Sequence, residues 1–525
     1  MGLARDEAEA EAVQGVKLDF AKNVKRNMLA NAASSGIRLL FPFLNRTLFL
    51  WLLDPEYLGL NGLFASILGV LMLAELGFGK AVVCSMYKPV ADDDRELLCA
   101  YLKFYRNIYR CVGAVIFFGG LALLPFLDRL VHGSVPPDID LHVLYVIHLV
   151  NTAASYFLFA YRGVVLGAHH RNDVITNIRS GVSIAQYVVV FLILLVTRNY
   201  YHYVVATVVF TIVQNVLLVR ASRKHFPDIE PRGKLPQDLR RRVISDVKSI
   251  FMHKVGGTIT NSTDNLVISA FLGLVAVAAY GNYYYVVTTV TGLVAVVYSS
   301  MTGGFGNKIY TESKADNFRL FMKMNRVTMV IVLFCSAAMT ALYQPFIRLW
   351  TKNAPMLVMH DLTPVLMVLY FYIVQSRQVL LAFKAAASLW KQDRWKPIVA
   401  GIVNLGTNIL FVIYLPGEYK LDGVIFSTII GHLLIQIPWE SHVVFSSFFG
   451  KTEARAYWRD QAVFTAFTLA VCAVAWLSAG LVSLGGVPGL AAKGAIAAIV
   501  SGAATFIIFR NDVIAVAKAA RERNG

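Results

Sequence analysis

The sequence has 525 residues, of which 57% are hydrophobic and only 15% are charged. This composition excludes an ordinary soluble protein, which needs far less apolar surface to fill its cores. The formal net charge of +17 could indicate a nucleic-acid-binding protein, but most of the Lys and Arg lie in alternate loops between apolar segments. The positive-inside rule assigns such loops to the cytoplasm. We therefore predict a polytopic membrane protein with both termini cytoplasmic and no nucleic-acid partner.

Apolar segments follow one another along the chain. Each of about fourteen is long enough to cross a hydrocarbon layer of roughly 30 Å, which takes about 20 helical residues. Residues 186–196 are almost entirely apolar, which favours helices, because the strands of a membrane barrel alternate apolar and polar side chains. The predicted helices, numbered 1 to 14, cover residues 28–52, 58–80, 104–127, 141–166, 175–197, 201–220, 250–272, 277–303, 327–349, 362–383, 397–415, 421–446, 460–484 and 488–509.

The two halves of the sequence carry matching short motifs. "LKFYR" at 102–106 resembles "MKMNR" at 322–326, and "PF" at 125–126 recurs at 345–346, so both pairs are offset by 220 residues. The steady offset predicts a duplication. Six helices per half is an even number, so the halves should share one membrane orientation. We expect a pseudo-two-fold axis along the membrane normal to relate them, with a central cavity between them.

The expected fold class is therefore an all-α polytopic membrane protein with two six-helix bundles and two C-terminal helices. The expected domains are a cytoplasmic segment (1–27), an N-terminal bundle (28–220), a basic cytoplasmic linker (221–249), a C-terminal bundle (250–446), and two extra helices with a cytoplasmic tail (447–525). The linker has the densest group of basic residues, which should mark the cytoplasmic side and contact anionic lipid.

Predicted helix 1 carries a polar face. Asn31, Arg38 and Asn45 are spaced by seven residues and lie on one side of the helix. Arg38 falls near mid-membrane, where an arginine costs at least about 2.5 kcal/mol, so it should face an aqueous cavity or an ion-pair partner. Arg46 is closer to the outer surface, where snorkelling to the interface is the simpler alternative. All four are candidate substrate-binding residues.

Predicted helices 2 and 4 add three candidates. Glu75 lies toward the cytoplasmic end of helix 2, where it could carry a coupling ion or simply pair with Lys80. Helix 4 has a polar stripe that includes His148 and Arg162. A lone histidine is more typical of a satisfied core residue, but its place on a polar face makes a cargo contact an equal alternative for His148.

Predicted helix 7 opens the second half with its own polar stripe, which contains Asn261 and Asp264. Asn261 is a candidate cargo contact. Three interpretations of Asp264 stay open: a cation or proton site, a counter-ion for Arg38 or Arg46, and a structural contact between helices.

Predicted helices 8, 10 and 12 carry weaker signals. Arg377 lies one or two turns from the cytoplasmic end of helix 10 and is a candidate substrate-binding residue, whereas Glu440 near the inner end of helix 12 is a weaker candidate. Tyr280 and Tyr283 belong to a group of tyrosines at the start of helix 8. An aromatic belt at the membrane interface is the default interpretation, and stacking on sugar rings is the alternative.

Several features point away from metal, cofactor or enzymatic chemistry. The five cysteines form no CxxC motif and no obvious pairs. The motif "FGKT" at 449–452 lacks the upstream glycine of a phosphate-binding loop. Every predicted external loop is too short for a catalytic domain. We expect no metal site, no cofactor and no enzymatic activity.

Arginines at mid-depth, surrounded by amides and hydroxyls, predict a secondary carrier of an anionic cargo, because the planar guanidinium can bind two phosphate oxygens at once. The segments "DPEYLGLNGLF" (54–64), "ELGFGKAVVCSMYKPVADDD" (75–94) and "YRGVVLGAHHRND" (161–173), in this order after helix 1, are similar to those of the Wzx-type polysaccharide flippases. These flippases belong to the multidrug/oligosaccharidyl-lipid/polysaccharide exporter superfamily.

The resemblance implies translocation of an undecaprenyl-diphosphate-linked oligosaccharide from the inner to the outer leaflet of a bacterial cytoplasmic membrane. We expect alternating access by a monomer, in contact with membrane lipids, with a polysaccharide polymerase or glycosyltransferases as candidate partners. A proton or sodium gradient could be coupled through Asp264 or Glu75. The alternatives are a flippase for a lipid II-type precursor, a multidrug or cation antiporter of the same superfamily, and a membrane-embedded polysaccharide polymerase.

Overall fold

The computed structural model describes residues 40–75, 78–133, 135–158, 160–309, 311–352, 354–389 and 392–524. Every regular element within these ranges is a helix, and none of the described residues forms a strand. The chain divides into two compact units, Met1–Thr258 and Ile259–Gly525, called unit 1 and unit 2 below.

The described helices of unit 1 differ widely in length. The described helices are α1 (Leu40–Leu52), α2 (Pro55–Leu71), α3 (Phe78–Ala91), α4 (Arg95–Leu123), α5 (Leu127–Leu130), α6 (Leu141–Phe157), α7 (Gly163–Ala168), α8 (Asn172–Thr197) and α9 (Tyr200–His225). The next helix, α10 (Gln237–Leu272), begins in unit 1 and ends in unit 2.

Unit 2 continues with longer helices. They are α11 (Leu274–Ile309), α12 (Lys314–Trp350), α13 (Leu362–Ser376), α14 (Gln378–Ala386), α15 (Lys396–Tyr414), α16 (Lys420–Ile430), α17 (Ile437–Ser447), α18 (Lys451–Gly480) and α19 (Gly486–Asn524). A π-helical segment, Gly431–Gln436, joins α16 to α17 and makes one continuous span of them.

The prediction of an all-α polytopic membrane protein is confirmed. Nine helices among the described residues are long and apolar enough to cross a membrane, and Leu40–Leu52, Pro55–Leu71 and Leu141–Phe157 are shorter apolar helices. Many apolar side chains on these helices point outward: on α8, Leu192 is 54% exposed and Val196 is 83% exposed. Such surfaces are stable in contact with lipid, where hydrocarbon surrounds the helix.

Several predicted spans are interrupted in the structure. Predicted helix 2 becomes α2, a 3₁₀ segment at Met72–Glu75, and α3. Predicted helix 4 becomes α6, a 3₁₀ segment at Ala160–Arg162, and α7, and predicted helix 10 breaks at Arg377 between α13 and α14. Interrupted helices expose backbone groups that a protein interior or a polar site must satisfy. The interruptions fall beside three of the predicted site residues, Glu75, Arg162 and Arg377.

The cores of the two units are packed separately. In unit 1, α3, α4 and α7 enclose buried residues such as Met86, Leu102 and Tyr105, and the described part of the predicted basic linker joins them through Ile229 and Val243. In unit 2 an aromatic core is built from α11, α12, α14, α17 and α18; it includes Phe305, Phe321, Phe383, Phe445 and Tyr457. Helices α18 and α19, which follow the second predicted bundle, pack along α12.

Candidate functional site

A network of buried charged side chains lies inside unit 2 around Arg377. This residue stands at the break between α13 and α14 and is 8% exposed. Its Nη1 donates hydrogen bonds to Nδ1 of His432, at 2.6 Å, and to Oε1 of Gln436. Its Nη2 lies 3.1 Å from Oε1 of Glu440. The guanidinium is therefore held by two neutral acceptors and one carboxylate.

The π-helical segment explains how one span supplies all three partners. His432, Gln436 and Glu440 are spaced by four residues across Gly431–Gln436 and α17. Residues four apart lie on nearly the same face of an α-helix, and the wider π-helical turn offsets the small rotation that an α-helix would add at each step. The three acceptors consequently form one stripe that faces Arg377.

The network continues beyond Glu440. Lys396 at the start of α15 forms ion pairs with Glu440 and, at 3.4 Å, with Asp393. Asp393 also pairs with Lys384 of α14. The five charged groups are three cations and two carboxylates, and each residue is less than 9% exposed. Sequence reasoning proposed Arg377 as a site residue, treated Glu440 as a weaker candidate and did not propose Lys384, Asp393 or Lys396. Charged residues within or beside apolar segments were the signal that could have found them.

Asp264 of α10 is the centre of a second polar site in unit 2. Its carboxylate accepts hydrogen bonds from Asn408 Nδ2 at 2.7 Å, Tyr280 Oη at 3.0 Å and Thr428 Oγ1 at 3.2 Å. Asp264 is 3% exposed, and no Lys or Arg among the described side chains forms an ion pair with it. The site thus surrounds one carboxylate with uncharged amide and hydroxyl groups.

Further polar groups contact the side chains that donate hydrogen bonds to Asp264. Asn404, one turn before Asn408 on α15, donates from Nδ2 to Thr428 Oγ1 at 3.0 Å. The Val424 carbonyl lies 3.3 Å from Thr428 Oγ1 and is the alternative acceptor for the single proton of that hydroxyl. Tyr280 therefore belongs to a buried site: it is 6% exposed, and the neighbouring Tyr283 is fully buried. An aromatic belt at the membrane interface, the default interpretation of these tyrosines, is wrong for both.

Glu75 in unit 1 is also bound by tyrosines. Tyr109 Oη donates to Oε1 at 2.8 Å, and Tyr156 Oη donates to Oε2 at 3.2 Å. Glu75 ends the 3₁₀ segment between α2 and α3 and is half-buried. The predicted alternative partner, Lys80, has a side chain outside the described part of the structure. The observed contacts are thus with phenol hydroxyls.

Arg162 is among the most deeply buried residues of unit 1, with 1% of its surface exposed. It ends the 3₁₀ segment before α7 and forms an ion pair with Glu230, which comes from the predicted linker. Its backbone carbonyl accepts a hydrogen bond from Ser222 Oγ at 3.3 Å. Arg162 therefore ties the break in this span to the chain that follows α9.

The other predicted site residues are dispersed or lie outside the described residues. His148 packs its ring 5.3 Å from the ring of Phe64, and its buried Nε2 has no hydrogen-bond partner among the described residues. Asn45 donates to Tyr203 Oη at 3.3 Å, while Arg46, also on α1, is half-buried. The remaining three, Asn31, Arg38 and the side chain of Asn261, lie outside the described part of the structure.

The described residues contain no group of three or more His, Cys, Asp or Glu side chains that could hold a metal ion. Their candidate chemistry consists of buried basic groups and of carboxylates with neutral partners. The first suits an anion, because guanidinium donates several hydrogen bonds in one plane. The second suits a proton or a hard cation, for which oxygen atoms are the preferred ligands.

Comparison with known proteins decides the family. The sequence profile described as "Polysaccharide biosynthesis protein" matches residues 24–301, which is more than half of the chain. The chain belongs to the polysaccharide biosynthesis protein family. The predicted membership in the multidrug/oligosaccharidyl-lipid/polysaccharide exporter superfamily is thereby confirmed. No curated protein sequence matches the chain.

Solved structures of low sequence identity share the fold of this polysaccharide biosynthesis protein. A lipid II flippase MurJ in an inward closed conformation has a TM-score of 0.65 at 14% identity, covering 93% of this chain and 99% of that one. An inward-facing multidrug resistance MATE family transporter has a TM-score of 0.56 at 15% identity, covering 77% and 93%. A MATE protein in a bent conformation has a TM-score of 0.52 at 14% identity, and the match covers 83% of this chain and 97% of that one. These neighbours are described as a lipid II flippase and as multidrug resistance transporters, and their likeness to this chain lies in the fold.

Proposed function

We propose that this polysaccharide biosynthesis protein is a flippase that moves an undecaprenyl-diphosphate-linked oligosaccharide repeat unit from the inner to the outer leaflet of a bacterial cytoplasmic membrane. The observation that carries the proposal is the family match over residues 24–301. Buried cations inside apolar spans support it. Arg162 and Arg377 are candidates to bind the diphosphate, because a guanidinium can contact two phosphate oxygens at once.

The proposed cycle is alternating access by the two bundles at 28–220 and 250–446. The diphosphate is carried in contact with basic residues while the lipid tail stays in the bilayer, since an unpaired charge in hydrocarbon costs tens of kcal/mol. We assign Arg38, Arg46 and the amides Asn31, Asn45 and Asn261 to the polar path, on the strength of their sequence spacing. His148 and Arg162 are proposed as further contacts.

Arg377 has a specific part in this proposal because a carboxylate already occupies it. Its Nη2 is paired with Glu440, and its Nη1 contacts His432 and Gln436. A phosphate oxygen could take the place of the Glu440 carboxylate at Nη2. Lys396 pairs with the same Glu440 oxygen and can retain that carboxylate when Arg377 turns away. We therefore propose that Arg377 exchanges between an internal ion pair and the cargo.

Asp264 is proposed as the coupling-ion site, with Glu75 as the candidate in unit 1. Three side chains donate hydrogen bonds to Asp264, and all of them are uncharged. Their oxygen atoms, with the nearby Asn404 amide and Val424 carbonyl, are the ligand types that hard cations prefer. One unit charge crossing 100 mV supplies about 2.3 kcal/mol, which could bias the direction of transport.

The proposed setting follows from the charge distribution in the sequence. Both termini and the basic 221–249 segment are assigned to the cytoplasm, with the protein acting as a monomer among membrane lipids. A polysaccharide polymerase or glycosyltransferases are the proposed partners. The family supports a lipid-linked substrate and not one particular sugar.

The test uses the purified full chain in proteoliposomes with a fluorescent undecaprenyl-diphosphate oligosaccharide. The native protein should expose the sugar to an impermeant quencher on the far side. Arg377→Ala should slow this on the order of tenfold or more, and Arg377→Lys should retain part of the rate, because lysine keeps the charge but loses the planar fork. The matched control is Arg348→Ala, which removes an exposed arginine of the same unit, and it should transport normally.

The alternatives are separated by changing the cargo in the same vesicles. Transport of a lipid II-type precursor in preference to the oligosaccharide would assign the protein to that cargo, and export of a cationic drug would make it an antiporter. Chain extension of the sugar would indicate a polymerase. If the native protein moved no lipid-linked sugar at all, the proposed function would be wrong.

A further inference from the structure

One continuous span contributes side chains to both polar sites of unit 2 and so connects them through its backbone. Thr428 contacts Asp264, and His432, Gln436 and Glu440 follow it at intervals of four residues. The last three contact Arg377. A single stripe on the segment from α16 through the π-helix to α17 therefore runs from the Asp264 site to the Arg377 network.

A second connection between the same sites consists of aromatic rings. The hydroxyl of Tyr280 donates to Asp264, and the ring of Tyr280 stacks on Tyr284 with centroids 5.6 Å apart and an interplanar angle of 14°. Tyr284 lies 6.1 Å from Tyr370, and Tyr370 lies 5.7 Å from the ring of His432. Both connections thus meet at His432.

The chemistry of the Arg377 contact fixes the state of His432. A guanidinium can only donate, so Nδ1 of His432 must accept and the imidazole carries its proton on Nε2. The residue is 8% exposed. A neutral ring held on one side by Tyr370 and on the other by Arg377 has little freedom to turn unless one of those neighbours moves.

We propose that His432 is a positioning residue that transmits the state of the Asp264 carboxylate to Arg377. A cation or proton at Asp264 would compete with Tyr280 and Thr428 for the same oxygen, Oδ2. Both donors would then reorient. Tyr280 begins the chain of rings that ends at His432, and Thr428 lies four residues before His432 on the same span. A changed orientation of the His432 ring alters the balance between the two partners of the Arg377 guanidinium, which are Glu440 and the cargo. The identity of ion and cargo rests on the proposed function, whereas the connection itself does not.

The test reads His432 directly and needs no transport. The full chain is labelled with ring ¹³C,¹⁵N-histidine and placed in lipid nanodiscs, and the His432 signal is assigned by its loss in His432→Asn. Asp264→Asn mimics the neutralised carboxylate and should displace that signal. Asp422→Asn removes another buried carboxylate of α16, one bound by Thr363, and should leave it in place.

A matched pair on α13 tests the aromatic connection. Tyr370→Leu should reduce the displacement of the His432 signal that Asp264→Asn causes. Tyr372→Leu should not, because the Tyr372 hydroxyl contacts Thr465 of α18 instead. A His432 signal that is the same in the native protein and in Asp264→Asn would overturn the proposal, even if glycolipid is transported.

Transport supplies the second measurement. His432→Phe removes the Nδ1 acceptor and should lower gradient-dependent transport on the order of 5- to 10-fold, as expected for a coupling between sites. His432→Asn places an amide oxygen near the Nδ1 position and should restore most of it. Combined with Asp264→Asn, His432→Phe should add little further loss, whereas a loss equal to the product of the two would contradict the connection. A displaced signal without any glycolipid transport would uphold the connection and reject the cargo.

Discussion

Arg377 and Glu440 form an ion pair in the interior of unit 2, with Nη2 and Oε1 3.1 Å apart and no part of Glu440 exposed. The same carboxylate pairs with Lys396, so its loss leaves two buried cations without that partner. Breaking a buried pair by removing one member costs more than the pair contributes, because the remaining charge keeps its desolvation penalty.

We accordingly predict that Glu440→Ala lowers the stability of the protein by about 3–5 kcal/mol, measured by thermal unfolding in detergent. The control is Asp361→Ala, which removes an ion pair with Arg348 in which the two side chains are 76% and 60% exposed. An exposed pair contributes only about 0–1 kcal/mol, so this variant should unfold close to the native temperature. Equal stability of both variants would show that the Glu440 network does not hold unit 2 together.

Asp264→Asn should uncouple transport from the ion gradient while the fold is retained. The amide has the shape of the carboxylate and fits the same space, but it carries no charge to bind a cation or release a proton. Glycolipid transport is measured with and without imposed sodium and proton gradients. We expect the gradient-dependent part to vanish, and Asp422→Asn serves as the matched buried control. Gradient-dependent transport that survives in Asp264→Asn would transfer the coupling role to another residue.

The buried ion pair between Arg162 and Glu230 should contribute more to the stability of unit 1 than the exposed pair between Arg223 and Glu230. Glu230→Gln removes the charge that faces Arg162, whose own surface is 1% exposed, and we expect a loss of about 1–3 kcal/mol because Glu230 itself is partly in solvent. Arg223 contacts the other oxygen of Glu230 at 3.6 Å and is 60% exposed. Arg223→Ala should therefore cost less than about 1 kcal/mol in the same unfolding measurement.

Gly120 marks the close approach of α4 and α6. A Cβ built at this position would lie 2.3 Å from Cδ1 of Leu149, which is fully buried. We predict that Gly120→Ala destabilises unit 1 by about 1–3 kcal/mol, as overpacking does in a tight core. At Gly119 the nearest atom would be Cδ2 of Leu71 at 3.6 Å, an ordinary contact, so Gly119→Ala should be nearly neutral. Similar unfolding temperatures for the two variants would mean that the helices can separate without cost.

The spans were predictable from sequence because hydrocarbon accepts only chains that satisfy their own backbone hydrogen bonds. Each of the fourteen apolar segments has a helical counterpart among the described residues. The interruptions within these helices were harder to predict from sequence. Arg377 lies in a polar run, but whether such a run bends a helix depends on what partners the surrounding helices offer.

The sequence also determined which residues were unusual: an aspartate and an arginine in apolar surroundings must have polar partners or water. It could not determine which partners, because Asp264 and Asn408 are 144 residues apart and Arg377 and Glu440 are 63 apart. Helical periodicity reports the face of one helix and carries no information about the neighbour. Only tertiary packing brought Asn408, Thr428 and Tyr280 to one carboxylate, and only tertiary packing brought His432 within hydrogen-bond distance of Arg377.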